Sequence, residues 1–113
     1  MTLESTNRWE SLTAKVSAKY GGEPSEESLL FLIGLHEWGD YPPGEEKRVK
    51  ADLIQLGVLV LLERAGFMRR TGVDAEGWPT WERTQPIPSW SPGEQRRFLR
   101  EAIIDYFAEI WEL

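Results

Sequence analysis

His36, Glu37 and Asp40 are the residues whose types and spacing come nearest to acid–base chemistry. They stand in Leu35-His36-Glu37-Trp38-Gly39-Asp40. A helical step of four brings Asp40 close to His36. A carboxylate so placed orients an imidazole for general acid–base work. The zinc pattern His-Glu-x-x-His is broken, because aspartate occupies position 40. The competing reading is a helix-end histidine, held by a carbonyl or by the helix dipole. Asp74 and Glu76 form a second carboxylate pair, suited to acid–base chemistry or calcium. The alternating ligands and distal glutamate of a calcium loop are missing around them, and an aspartate opening a turn needs no further reason. No nucleophile elbow, phosphate loop or dinucleotide fingerprint occurs. No catalytic residue, metal ligand or cofactor is assigned on this basis. An enzyme using His36, Glu37 and Asp40 is kept as an alternative.

The sharper constellation is aromatic and basic. Trp78, Trp81 and Trp90 are half of the chain's 6 tryptophans, and Arg64, Arg69, Arg70 and Arg83 stand around them. A guanidinium over an indole face is attracted to it, and such a surface suits phosphate, carboxylate or an acidic segment of a partner. Against this, arginine stems routinely cover apolar rings with no ligand present. The leading expectation is a non-enzymatic binding or adaptor module that docks a protein through Arg69, Arg70, Trp78, Trp81 and Arg83, with Trp90 extending the surface.

Composition narrows the classes. The 113 residues make one domain, 1–113, with enough chain for an ordinary core. Hydrophobic residues at 41% and charged residues at 28% fit a water-soluble globule. With Cys 0, disulfides, thiolate zinc sites and cysteine nucleophiles are excluded. The N-terminal stretch carries Glu4, Arg8 and Glu10 and lacks the apolar core of a secretion signal. The longest apolar runs, Leu29–Ile33 and Val58–Leu62, are too short to span a bilayer. A cytoplasmic location without a membrane partner is therefore expected. A net charge of −6 repels nucleic acid at long range.

These residues must be positioned by a mainly α fold with one β-hairpin (α+β). The first helix is expected over Asn7–Tyr20, with Trp9, Leu12, Val16 and Tyr20 on one face and Gly21-Gly22 ending it. The second opens at Ser25, is apolar all round through Leu29–Ile33, and stops at Gly39. After the loop Asp40-Tyr41-Pro42-Pro43, a third begins near Gly44 or Glu45 and runs to Arg64, capped by Gly66. Asp74 to Gly77 fits a type I turn with Gly77 left-handed. That register pairs Val73 with Pro79, Thr71 with Trp81 and Arg70 with Glu82. It gathers Phe67, Val73, Pro79 and Trp81 on one face. Pro86-Ile87-Pro88 reads as a connector, and Ser91-Pro92-Gly93-Glu94 as the capping box of a fourth helix. The stripe on that helix, Phe98 through Trp111, is wide enough to cover the core and to pair in a homodimer.

Two resemblances follow from these segments. Leu62-Glu63-Arg64-Ala65-Gly66-Phe67-Met68-Arg69-Arg70, after three helices and before a hairpin, resembles the exit into the wing of winged-helix DNA-binding domains. That resemblance implies nucleic-acid binding as an alternative function. It departs from the pattern in the apolar second half of the third helix, where a recognition helix needs a polar face. The second resemblance covers Leu29 to the C-terminus. Phe31-Leu32-Ile33-Gly34 with Glu37 and Gly39, then Asp74 with Gly77-Trp78-Pro79 and Trp81, then Glu101-Ala102-Ile103-Ile104 with Tyr106-Phe107, resembles a family of small uncharacterised bacterial proteins of the Bacteroidetes and their relatives. Its hallmark is the Gly-Trp-Pro-x-Trp block. It implies no activity, cofactor or ligand.

Overall fold

The computed structural model describes residues 3–39 and 46–111. It contains four helices, α1 (Leu3–Tyr20), α2 (Glu26–Trp38), α3 (Glu46–Arg64) and α4 (Pro92–Trp111), with strands β1 (Met68–Val73) and β2 (Pro79–Arg83) between α3 and α4. The expected α+β architecture, with its hairpin between the third and fourth helices, is the one observed. The loop Asp40-Tyr41-Pro42-Pro43 and the start at Gly44 or Glu45 lie outside the described residues, as does Asp40 of the acid–base set.

Local signals set the helix ends. The Ser25 hydroxyl accepts from the amide of Ser28, and the Ser28 hydroxyl accepts from the amide of Ser25, closing a capping box. Gly39 ends α2 at φ 93°, a left-handed conformation that glycine adopts without a Cβ penalty. At the end of α3 the amide of Gly66 donates to Glu63 and that of Phe67 donates to Leu62, a Schellman pair. Ser91 and Glu94 exchange the reciprocal bonds expected of them. The first helix starts earlier than expected, at Leu3 rather than Asn7. Tyr20 falls off its apolar face and is 57% exposed, as the last residue of the helix, where the stripe has run out.

The core is Leu12 and Val16 of α1, Leu29, Leu30 and Ile33 of α2, Val49, Leu53, Leu56, Val60 and Leu61 of α3, and Ile103, Ile104, Tyr106 and Phe107 of α4. α2 and α3 make the most extensive contact between helices, and α1 leans on α4. The crossing of α2 and α3 is close enough for backbones to touch. A Cβ built on Gly34 would lie 2.0 Å from the carbonyl oxygen of Leu53, and one on Gly57 would lie 2.3 Å from that of Leu30. The two contacts are reciprocal and antiparallel: each glycine sits one turn beyond the leucine that the other one meets.

The turn of the hairpin matches its sequence and the register does not. Gly77 has φ 89°, its amide donates to Asp74, and Asp74 donates to the carbonyl of Trp78. Asp74 Oδ1 also accepts the amides of Glu76 and Trp78. Val73 pairs with Pro79 as expected, but Trp81 pairs with Arg70 instead of Thr71, and Glu82 with Arg69 instead of Arg70. The cause is a bulge between Arg70 and Gly72, which gives β1 one extra residue. The bulge splits the expected face. Trp81 packs against the core, whereas Val73 points away and is 70% exposed. At the hairpin base, the Thr84 hydroxyl and the Gln85 amide both donate to the carbonyl of Gly66, which ties the exit of β2 to the end of α3.

Candidate functional site

The tryptophans of the hairpin are half-buried and lean on the helices. Trp78 stacks on Trp38, at the end of α2, with ring centroids 4.2 Å apart and planes tilted by 34°. The Arg70 guanidinium lies 5.0 Å from the centre of the Trp81 ring. It also donates from Nε to Glu63 at 3.2 Å and lies 3.4 Å from Glu37. One arginine thus links α2, α3 and the hairpin, with two carboxylates around it. Arg69 is paired with Glu82 at 2.5 Å across the strands. That pair is exposed on both sides, so its contribution is at most about 1 kcal/mol. Among the described residues, Arg83 is the hairpin arginine without an ion pair. Trp90 does not extend this surface. It packs with Phe67 and Phe98, at 5.9 Å and 4.6 Å, in a separate aromatic cluster under the connector.

Between the hairpin and α3 lies a cleft of about 260 Å³. Trp78, Pro79 and Trp81 form one side, and Leu56, Leu59 and Gln55 of α3 the other. Asp52, Asp74 and Glu76 stand around it. The cleft was not legible in the sequence, because it needs α3 and the hairpin brought side by side. The asparagine-like turn chemistry of Asp74 and the Gly-Trp-Pro-x-Trp spacing were its local traces. A second, more apolar hollow of about 370 Å³ runs between Val58 and Leu62 of α3, Ile87 and Pro88 of the connector, and Trp90 and Phe98.

Protein-family models, curated proteins and solved structures were compared with the chain, and none matches.

The described members of the acid–base set, His36 and Glu37, take different partners. His36 is exposed, and its Nδ1 lies 2.6 Å from the hydroxyl of Tyr106, a buried residue of α4. Glu37 turns to Arg70 instead of His36. His36 lines neither cleft. Its partner is thus a phenol from 70 residues away, where a carbonyl or the helix dipole was expected. Arg64 lies over the Tyr106 ring at 5.3 Å and pairs with Glu109. Burial, helped by the charge of Glu37, raises the Tyr106 hydroxyl well above the ordinary tyrosine range, against the opposing pull of Arg64 and Arg70. The phenol is therefore neutral at physiological pH and shares its hydrogen bond with His36 Nδ1 as an intact hydroxyl. This arrangement fastens the end of α2 to α4.

The Tyr106 shift has a measurable consequence. An unfolded tyrosine ionises near about pH 10, whereas the folded one keeps its proton to higher pH. Above pH 10 the folded state binds more protons, so stability falls as pH rises. The slope approaches about 1.4 kcal/mol per pH unit. Below that pH the contribution is fully present. Urea unfolding between pH 9 and 11 is expected to show this slope in the parent protein and a shallower one in Tyr106→Phe. Equal slopes would remove the assignment.

No helix among the described residues is long and apolar enough to cross a membrane. The exposed part of α3 carries Lys50, Asp52 and Gln55, a face of mixed charge.

Proposed function

We propose that this chain is a non-enzymatic cytoplasmic binding module that docks a protein through its hairpin. The resemblance to the small bacterial family with the Gly-Trp-Pro-x-Trp block belongs to the same reading. The observation that carries it is the cleft beside Trp78 and Trp81. These large aromatic residues are of the kind that anchors interfaces. They are only half-buried, and Trp38, Glu37 and Glu63 hold the hairpin so that the indoles are already in place. Preorganisation of this kind lowers the ordering cost of binding. In this arrangement Arg69, Arg70 and Arg83 frame the aromatic residues instead of forming one basic patch.

The test is to fill the cleft without touching the core. Gln55 is exposed and belongs to the cleft wall. Gln55→Trp is expected to abolish capture of partners from the source cells while helical circular dichroism and melting temperature stay unchanged. Capture of the same partners in the same yield by this variant would end the reading. Mobility shift at low salt addresses the winged-helix alternative, which requires affinity that falls steeply with salt.

A further inference from the structure

We infer that the cleft takes a basic side chain, so that the partner presents a lysine- or arginine-bearing segment; this rests on the docking surface proposed above. The arginines of the hairpin suggested an acidic partner, but Arg70 is already opposed by Glu37 and Glu63, and Arg69 by Glu82. The cleft itself has the opposite character. Its charged lining residues are Asp52, Asp74 and Glu76, with no lysine or arginine among those that line it. Among the described residues, none of the three carboxylates is in an ion pair. Two indoles line the same space. An indole face attracts a cation, and Trp81 already holds the Arg70 guanidinium in this way within the protein. Carboxylates around aromatic rings therefore give a site complementary to an extended side chain that is apolar along its stem and positive at its tip.

Size points to a single side chain. The volume of about 260 Å³ falls below the roughly 300–1,000 Å³ usual for drug-sized ligands. The stem of a lysine or arginine can lie along Leu56, Leu59 and Pro79 while its tip reaches the carboxylates. The overall charge of −6 favours approach of a basic segment and disfavours an acidic one.

The experiment is a titration followed by the indole and amide resonances of Trp78 and Trp81. The probe is a capped Gly-Gly-Lys-Gly-Gly peptide, with counterparts that replace lysine by norleucine or by glutamate. The lysine peptide is expected to shift both indoles, to bind at least about fivefold more tightly than the norleucine peptide, and to weaken with added salt. Combining Asp52→Asn with Glu76→Gln, both at exposed positions, should lower its affinity about fivefold. Equal binding of lysine and norleucine peptides, tighter binding of the glutamate peptide, or no shift at low salt would each overturn the inference. The two levels separate cleanly. If Gln55→Trp abolishes partner capture but the double carboxylate variant captures the same partner undiminished, the docking surface stands and its basic occupant does not. If Gln55→Trp changes nothing, both fall.

Discussion

Gly57→Ala is expected to destabilise the protein by about 3 kcal/mol or more, and Gly34→Ala by a similar amount. Alanine normally improves a helix over glycine by about 1 kcal/mol, so the prediction runs against propensity. The geometry decides which effect wins. A Cβ on Gly57 would meet the carbonyl oxygen of Leu30 at 2.3 Å and its carbon at 3.0 Å. A Cβ on Gly34 would meet the oxygen of Leu53 at 2.0 Å. The atoms met are backbone, so no side-chain rotation relieves them. The helices must move apart by about an ångström, and a close-packed core is felt to lose contact at such distances. Leu30, Ile33, Leu53, Leu56 and Val60 are buried at or beside this crossing, so their packing is lost together. Against a typical total stability of about 5–15 kcal/mol, that is a large fraction. Urea unfolding measures it. Gly93→Ala is the control: it adds the same methyl group to a helix where nothing lies within 4 Å, and it should be neutral or slightly stabilising. A Gly57→Ala protein as stable as the parent would show that the two backbones do not meet.

What the sequence revealed and what it withheld divide along one physical line. Capping at Ser25, at Gly39, at Gly66 and at Ser91 with Glu94 depends on residues within one turn of each other, so it can be read locally. The same holds for the turn from Asp74 to Gly77. The bulge at Thr71 and Gly72 is a two-strand property, and its one local trace is a glycine inside a strand. The roles of Gly34 and Gly57 depend on where two helices cross. Glycine within an otherwise apolar helix was the available sign, but it does not name the backbone it faces. The candidate site behaves in the same way. Arginine and tryptophan in one hairpin were visible from composition alone. The carboxylates that neutralise Arg70 come from α2 and α3, and the floor shared with Leu56 and Leu59 comes from α3, so the charge character of the site could not be read from the hairpin.

Trp38→Ala should free the hairpin from α2 while the helices stay folded. The Trp38 ring stacks on Trp78 at 4.2 Å and lies 3.5 Å from the Cβ position of Gly77 at the turn. Among the described residues, the Glu37–Arg70 pair at 3.4 Å also links α2 to the hairpin; it is partly exposed and correspondingly weak. Truncation of a fully buried tryptophan costs about 3–5 kcal/mol. Trp38 is half-buried, so a global loss of about 2 kcal/mol is expected by the same scale. The local effect is larger than the global one, because the base of the hairpin is held separately through Thr84, Gln85 and Gly66. Amides of β1 and β2 near the turn should lose hydrogen-exchange protection, while those of α2 and α3 keep theirs. A double-mutant cycle with Trp78→Ala isolates the stacking energy, expected at about 1 kcal/mol. If exchange rises equally in α2 and the hairpin, Trp38 is an ordinary core residue and not the anchor of a preorganised site. Since the proposed cleft needs Trp78 already in position, Trp38→Ala should also weaken lysine-peptide binding, although Trp38 does not line the cleft.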